Sequence, residues 1–158
     1  MAQRSLITDE MRKLIGMTTE PVVFKVEEGA IQRYAEAIGD PNPLYNDVEY
    51  ARESKYGRLI CPPGFTGWPT KLGVWDPLAL PVMLIKAGAP PSVLDGGIEY
   101  EFFETIGAGD VLASTSKIVS MSEKETKSGK MVVTIVETTF LNQNGDVVVK
   151  SWATVINR

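Results

Sequence analysis

The apolar positions of this chain follow a helical period in its first third and a strand period in its last. Ile31, Tyr34, Ala35 and Ile38 recur at i, i+3, i+4 and i+7, the spacing of one helix face, and Gly39 stands where a helix C-terminal glycine belongs. Ahead of them, residues 1–20 predict a short helical extension: Thr8 as N-cap, Asp9 and Glu10 at the positive end of the dipole, Gly16 as terminator. Pro21–Val26 (P-V-V-F-K-V) is β-branched and aromatic and reads as a first strand. Glu49–Arg52 suggests a further helical turn. Pro62 and Pro63, followed by small residues, read as a helix start, with a central helix running to about Val74. Residues 68–95 carry Trp68, Pro69, Trp75, Pro77, Pro81, Pro90 and Pro91 among apolar patches. So many prolines rule out one long helix, and the pattern predicts a long loop or lid with a helical turn near Met83.

The last third is strand throughout. Gly97–Phe103, Val111–Met121, Met131–Leu141 and Val147–Ile156 are rich in β-branched and aromatic residues. The polar run S-E-K-E-T-K-S-G marks one hairpin tip, and N-Q-N-G-D marks another through its Asn-Gly pair. Long antiparallel strands after one central helix predict a single α+β domain over residues 1–158, its sheet wrapped round that helix.

Between the two regimes lies Gly39–Tyr45, G-D-P-N-P-L-Y. Two prolines stiffen it, each fixing its own φ and disfavouring helix in the residue before it. Asp40 and Asn42 are thereby displayed on a rigid loop at a helix end. An Asp before Pro also commonly bonds its own backbone, which is the plain structural alternative.

The run resembles the G-D-x-N-P-x-H signature of the MaoC-like (R)-specific enoyl-thioester hydratases and dehydratases, which fold as hot dogs. Gly39, Asp40, Asn42 and Pro43 match; Tyr45 stands where the hydratases have histidine. The resemblance extends over P-P-G-F and G-G-I-E-Y-E-F-F and covers most of residues 20–156. It implies that Asp40, Asn42 and Tyr45 form a degenerate catalytic site. It further implies that Pro62, Pro63, Gly64, Phe65 and Gly97 bind substrate, with a Gly64 N–H holding the thioester carbonyl; the alternative for Gly64 is a packing glycine in a turn. In the family an aspartate and a histidine share the proton traffic of hydration. A tyrosine titrates near 10 against about 6.5 for histidine, so Tyr45 as a base would need roughly 4 kcal/mol of differential stabilisation.

Composition sharpens this. The chain has 158 residues, a net charge of -4, one cysteine and no histidine. The negative charge argues against nucleic acid and anionic membrane as partners. The histidine count removes Ser-His-Asp triads, Cys-His dyads and nearly all catalytic zinc and non-haem iron sites. No metal or cofactor is expected beyond a CoA or phosphopantetheine thioester as substrate carrier. Cys61 reads as a small buried hydrophobe rather than a nucleophile. Arg52, Lys55, Arg58 and Lys71 are the cations available for carrier phosphates, or are simply solvated. With no long apolar run and an acidic N-terminus, the expected location is cytoplasmic.

A signature without its imidazole resembles the histidine-lacking, N-terminal-type subunit of heteromeric MaoC-like dehydratases and enoyl-CoA hydratases. That resemblance implies a hetero-oligomer with a histidine-bearing hot dog, otherwise a homodimer. The chain would shape the acyl pocket of an enoyl-CoA or acyl-carrier-protein hydratase/dehydratase. A non-catalytic acyl-thioester-binding hot dog and a hot-dog thioesterase, which often needs no histidine, are the alternatives.

Overall fold

A computed structural model describes residues 5–67, 79–127 and 129–158. One antiparallel sheet of five strands organises it, in the order β1-β3-β4-β5-β2. The strands are β1 (Val22–Lys25), β2 (Val93–Phe102), β3 (Val111–Thr126), β4 (Gly129–Leu141) and β5 (Val147–Asn157). Around them lie helices α1 (Asp9–Leu14), α2 (Glu28–Ile38), α3 (Pro43–Asn46), α4 (Val48–Glu53) and α5 (Ala79–Lys86).

The helix ends follow the residues expected of them. Thr8 caps α1 by accepting the Met11 N–H at 3.1 Å. The same hydroxyl donates to the Ala87 carbonyl at 2.6 Å, which ties α1 to the end of α5. α2 ends in a Schellman arrangement: Gly39 has φ +69°, its N–H meets the Glu36 carbonyl at 3.1 Å, and the Asp40 N–H reaches back to Ala35 at 2.9 Å.

Two apolar clusters pack against the sheet. Ile31 of α2, Ala51 of α4, Leu59 and Phe65 meet Leu112, Phe140 and Val149. Met11 of α1 and Leu80 and Leu84 of α5 meet Ile118, Val132 and Val136. Register sets a row of hydroxyls across four strands, Ser116, Thr138, Ser151 and Tyr100, with Ser116 and Thr138 bonded at 2.8 Å.

Two expectations need correction. Pro62 and Pro63 do not open a helix: the described part of 62–74 is a turn and a single 3-10 turn, Phe65–Gly67, and residues 68–74 lie outside the described residues. The Phe65 N–H bonds the Pro62 carbonyl at 3.1 Å across Pro63 and Gly64, whose φ is +90°. That is a type II turn, with Pro and Gly at the positions it favours. The second concerns 79–95 of the expected loop: the helical turn expected near Met83 is a full helix, α5 at Ala79–Lys86, and β2 begins at Val93, so only 87–92 is irregular. Pro81 sits in the first turn of α5, where the missing N–H leaves no helical bond unmade. The N-Q-N-G-D turn closes the β4–β5 hairpin as expected: Leu141 pairs with Val147, and Asn142 accepts the N–H groups of both Asn144 (2.9 Å) and Asp146 (3.0 Å). The strands also outrun the expected polar tip, pairing as far as Thr126 with Gly129.

The sheet ends on an unusually open edge. β2 is exposed along nearly its whole length, with Ile98 and Phe102 about half exposed (46% and 51%) and Phe103 beyond it (50%).

Candidate functional site

Gly39–Tyr45 forms a self-bonded turn. Asp40 Oδ1 accepts the Asn42 N–H at 3.0 Å, and Asn42 Oδ1 accepts the Leu44 N–H at 3.1 Å as N-cap of α3. Asn46 Nδ2 closes the loop onto the carbonyls of Asp40 (2.9 Å) and Asn42 (3.0 Å). Pro43, at the first position of α3, gives up no bond. Asp40 and Asn42, two of the three residues that carry chemistry in the resemblance, therefore also hold the turn.

Tyr45, one turn into α3, is half-buried against the core of Ile31, Leu59 and Phe65. Burial pushes its phenol above the usual range and the Asp40 carboxylate pushes it further, against the opposing effect of the Asn42 side chain. The phenol is thus held protonated: a hydrogen-bond donor, not a base.

Tyr45 borders a cleft of about 330 Å³ between two chain segments, 60–66 and 102–106. The Cys61 N–H bonds the Ile106 carbonyl at 2.8 Å and the Ala108 N–H bonds Leu59 at 2.9 Å, which clamps the segments together. Pro62, Pro63 and Phe65 line the cleft with Phe102 and Phe103. Its polar fringe is Tyr45, Thr66, Glu104 and Thr105.

Other expected site residues fall elsewhere. Asp40 lines a separate groove with Gln32, Glu36 and Asn46. Gly64 is turned to Tyr34: a Cβ there would lie 2.7 Å from the Tyr34 hydroxyl, so the glycine serves packing as well as the turn. Gly97 sits in a β-bulge of β2, φ +110°, its N–H held by Asp95 Oδ1 at 2.8 Å, and is not among the residues of the cleft. Ile60, Thr66 and the stretch Phe102–Ile106 are cleft residues that the sequence did not single out as a site. The only signal for the stretch was the F-F-E-T run where the predicted strand ends.

The candidate phosphate ligands are mostly engaged. Arg58 forms a two-pronged pair with Asp110, Nη1 to Oδ1 at 2.6 Å and Nη2 to Oδ2 at 2.9 Å. Burial works to raise the Asp110 carboxyl, but Arg58 and the Gly107 N–H outweigh it and hold it below the usual carboxylate range. Arg52 pairs with Glu49 at 2.8 Å, and Lys55 lies 4.9 Å from the Tyr56 ring centroid. Lys71 lies outside the described residues. Cys61 borders the cleft, yet burial, then the charge of Asp110, push its thiol far above the usual range despite Arg58. Among the described residues, no cluster of His, Cys, Asp or Glu is placed to hold a metal, and no helix is long and apolar enough to cross a membrane.

The comparisons with known proteins agree with one another. The model of the family described as FAS1-like, dehydratase domain region, matches residues 13–151. A UPF0336 protein of Thermobifida fusca (strain YX) is 31% identical over an alignment of 148 residues, with 85% of this chain and 94% of the relative covered. Among solved structures, the MaoC-like dehydratase from Rhodospirillum rubrum superposes with a TM-score of 0.60 at 25% identity, covering 90% of this chain and 91% of that one. A chain of the HadBC (3R-hydroxyacyl-ACP dehydratase) complex from Mycobacterium tuberculosis gives 0.69 at 21% identity, covering 90% and 96%, and at that identity the likeness is one of fold. The sheet and its helices are those of the hot-dog fold.

Proposed function

This chain belongs to the family of FAS1-like dehydratase domain regions, and from that premise we propose that it is the pocket-shaping subunit of an (R)-specific enoyl-thioester hydratase or 3-hydroxyacyl-thioester dehydratase. A second hot dog supplies the Asp/His pair. The observation that carries this reading is Tyr45: it holds the histidine position of the signature, borders the apolar cleft, and has its phenol pushed up by burial and by Asp40. A group so perturbed cannot deprotonate water near neutral pH, because catalysis by a general base works best with a pKa near the operating pH. Asp40 is occupied in its own turn and faces another groove.

The remaining features support a part in substrate binding and assembly. The cleft is walled by prolines and aromatic rings, a surface suited to an acyl chain. The ten-residue strand β2 has no outer partner among the described residues and exposes Val93, Leu94, Ile98 and Phe102, the kind of edge that aggregates unless another strand or subunit covers it. The substrate carrier is CoA or phosphopantetheine, and the location is cytoplasmic.

The test is turnover. The chain alone, and the chain co-expressed with a histidine-bearing hot-dog neighbour, are assayed on an enoyl-CoA by loss of the enoyl absorbance. Turnover only in the pair, abolished by replacing the partner's aspartate or histidine and retained in Asp40→Ala here, is the expected result. Turnover by the chain alone, lost in Asp40→Ala and Tyr45→Phe, would refute the subunit reading. Acyl-CoA binding without turnover in any pairing would make it a binding protein, and release of free CoA would make it a thioesterase.

A further inference from the structure

Thr66 is only 7% exposed, and its hydroxyl has no hydrogen-bond partner among the described residues. A buried hydroxyl left unpaired carries a desolvation penalty that a methyl of the same shape would not. The residue lines the same cleft as Tyr45, between Phe65 and the Phe102–Phe103 pair. Its position is tightly held. The preceding type II turn pins it from one side, and Phe65, 4% exposed, packs edge-on against the Tyr34 ring at 5.7 Å between centroids. Unlike Ser114, Thr134 and Asn157, which also bury an unpaired polar atom but are not among the cleft residues, the Thr66 hydroxyl borders a cavity open to a ligand.

Taking the acyl-pocket reading above as its basis, we propose that Thr66 determines specificity: its hydroxyl pairs with an oxygen carried on the acyl chain, the 3-hydroxyl of a 3-hydroxyacyl thioester. A threonine hydroxyl both donates and accepts, as an alcohol does, so the two match as a pair. The enoyl and saturated thioesters offer no such group on the chain. A site built to bond a hydroxyl disfavours an analogue lacking it, because its own polar group is then left unpaired. The cleft should therefore hold the hydrated form of the thioester more tightly than forms lacking the hydroxyl.

The experiment is calorimetric titration of the full chain, wild type and Thr66→Val and Thr66→Ser variants, with 3-hydroxyoctanoyl-CoA and with octanoyl-CoA. Wild type is expected to favour the hydroxyacyl ligand by about tenfold, the size of one net hydrogen bond. Thr66→Val should bind the two ligands equally, with its octanoyl-CoA affinity unchanged and its thermal midpoint no lower than wild type. Thr66→Ser should keep most of the preference. Equal affinities in wild type, or a Thr66→Val variant that loses both ligands alike, would overturn the assignment while leaving the acyl pocket standing. If neither ligand binds wild type, the pocket reading fails and this one with it.

Discussion

At the scale of single residues, Arg58 and Asp110 show how a sequence-level candidate changes meaning once its neighbours are known. A cation free to meet a phosphate became one half of a pair whose carboxylate is 8% exposed while the arginine is 37% exposed. Removing the arginine strands that carboxylate. Arg58→Met is expected to cost about 2 kcal/mol at neutral pH, below the usual range for a fully buried pair because one partner is partly solvated. On a chain of this size that is roughly 4–8 °C in thermal midpoint. The pH dependence has a definite sign. The folded carboxyl lies below its unfolded value, so its contribution is complete above about pH 4 and is lost as pH falls through the folded pKa. Without Arg58 the remaining burial acts the other way. The midpoint gap between wild type and variant should therefore narrow between pH 7 and pH 3; a constant gap would show that the pair is not what holds Asp110. Glu123, exposed and lowered by Ser5 and the Ile7 N–H, titrates in the same window in both proteins and cancels from the comparison.

At the scale of elements, β2 is the part of the molecule left unfinished. Its inward partner is β5, paired from Val93 with Asn157 to Phe102 with Val149, and its other side has no strand among the described residues. The opposite edge, β1, is only four residues long, which limits what it can recruit. Pairing with a second hot dog through β2 predicts that the isolated chain runs above monomer mass in light scattering after gel filtration. Ile98→Lys, a charge on the exposed edge, is expected to shift it to monomer with little loss of midpoint. Monomeric wild type with no gain in mass on adding its partner would exclude β2 as an assembly edge. The signature turn illustrates the other lesson at this scale. Its glycine, prolines, Asp40 and Asn42 were legible because local rules place them: a Schellman end, an Asx bond, an N-cap. What those local rules could not say is which groove the side chains face.

For the molecule as a whole, Cys61 is a built-in reporter of opening. Its N–H is locked to Ile106, and burial holds its thiol above the reactive range. With Cys61 half-buried at the cleft and its thiol so held, native protein at pH 8 should react with a thiol reagent far more slowly than denatured protein, the labelling rate rising across the denaturant transition. Complete labelling of the native protein within seconds would mean that the cleft opens locally around Cys61.

The sequence by itself determined the strand-rich last third, the helix ended by Gly39, the rigid Asp-Pro-Asn-Pro turn and the family, because period, turn chemistry and caps act over a few residues. It also excluded histidine chemistry by simple absence. Tertiary structure alone decided the rest. Phe102–Ile106 and Thr66 share a cleft only because backbone bonds between 59–61 and 106–108 bring together segments some forty residues apart in the chain. The hydroxyl row of Ser116, Thr138, Ser151 and Tyr100 exists only through strand register, which a slip of one residue would turn to the other face. And whether a titratable side chain is a base, a turn bond or a buried partner depends on the dielectric and charges around it, which arrive from distant parts of the chain.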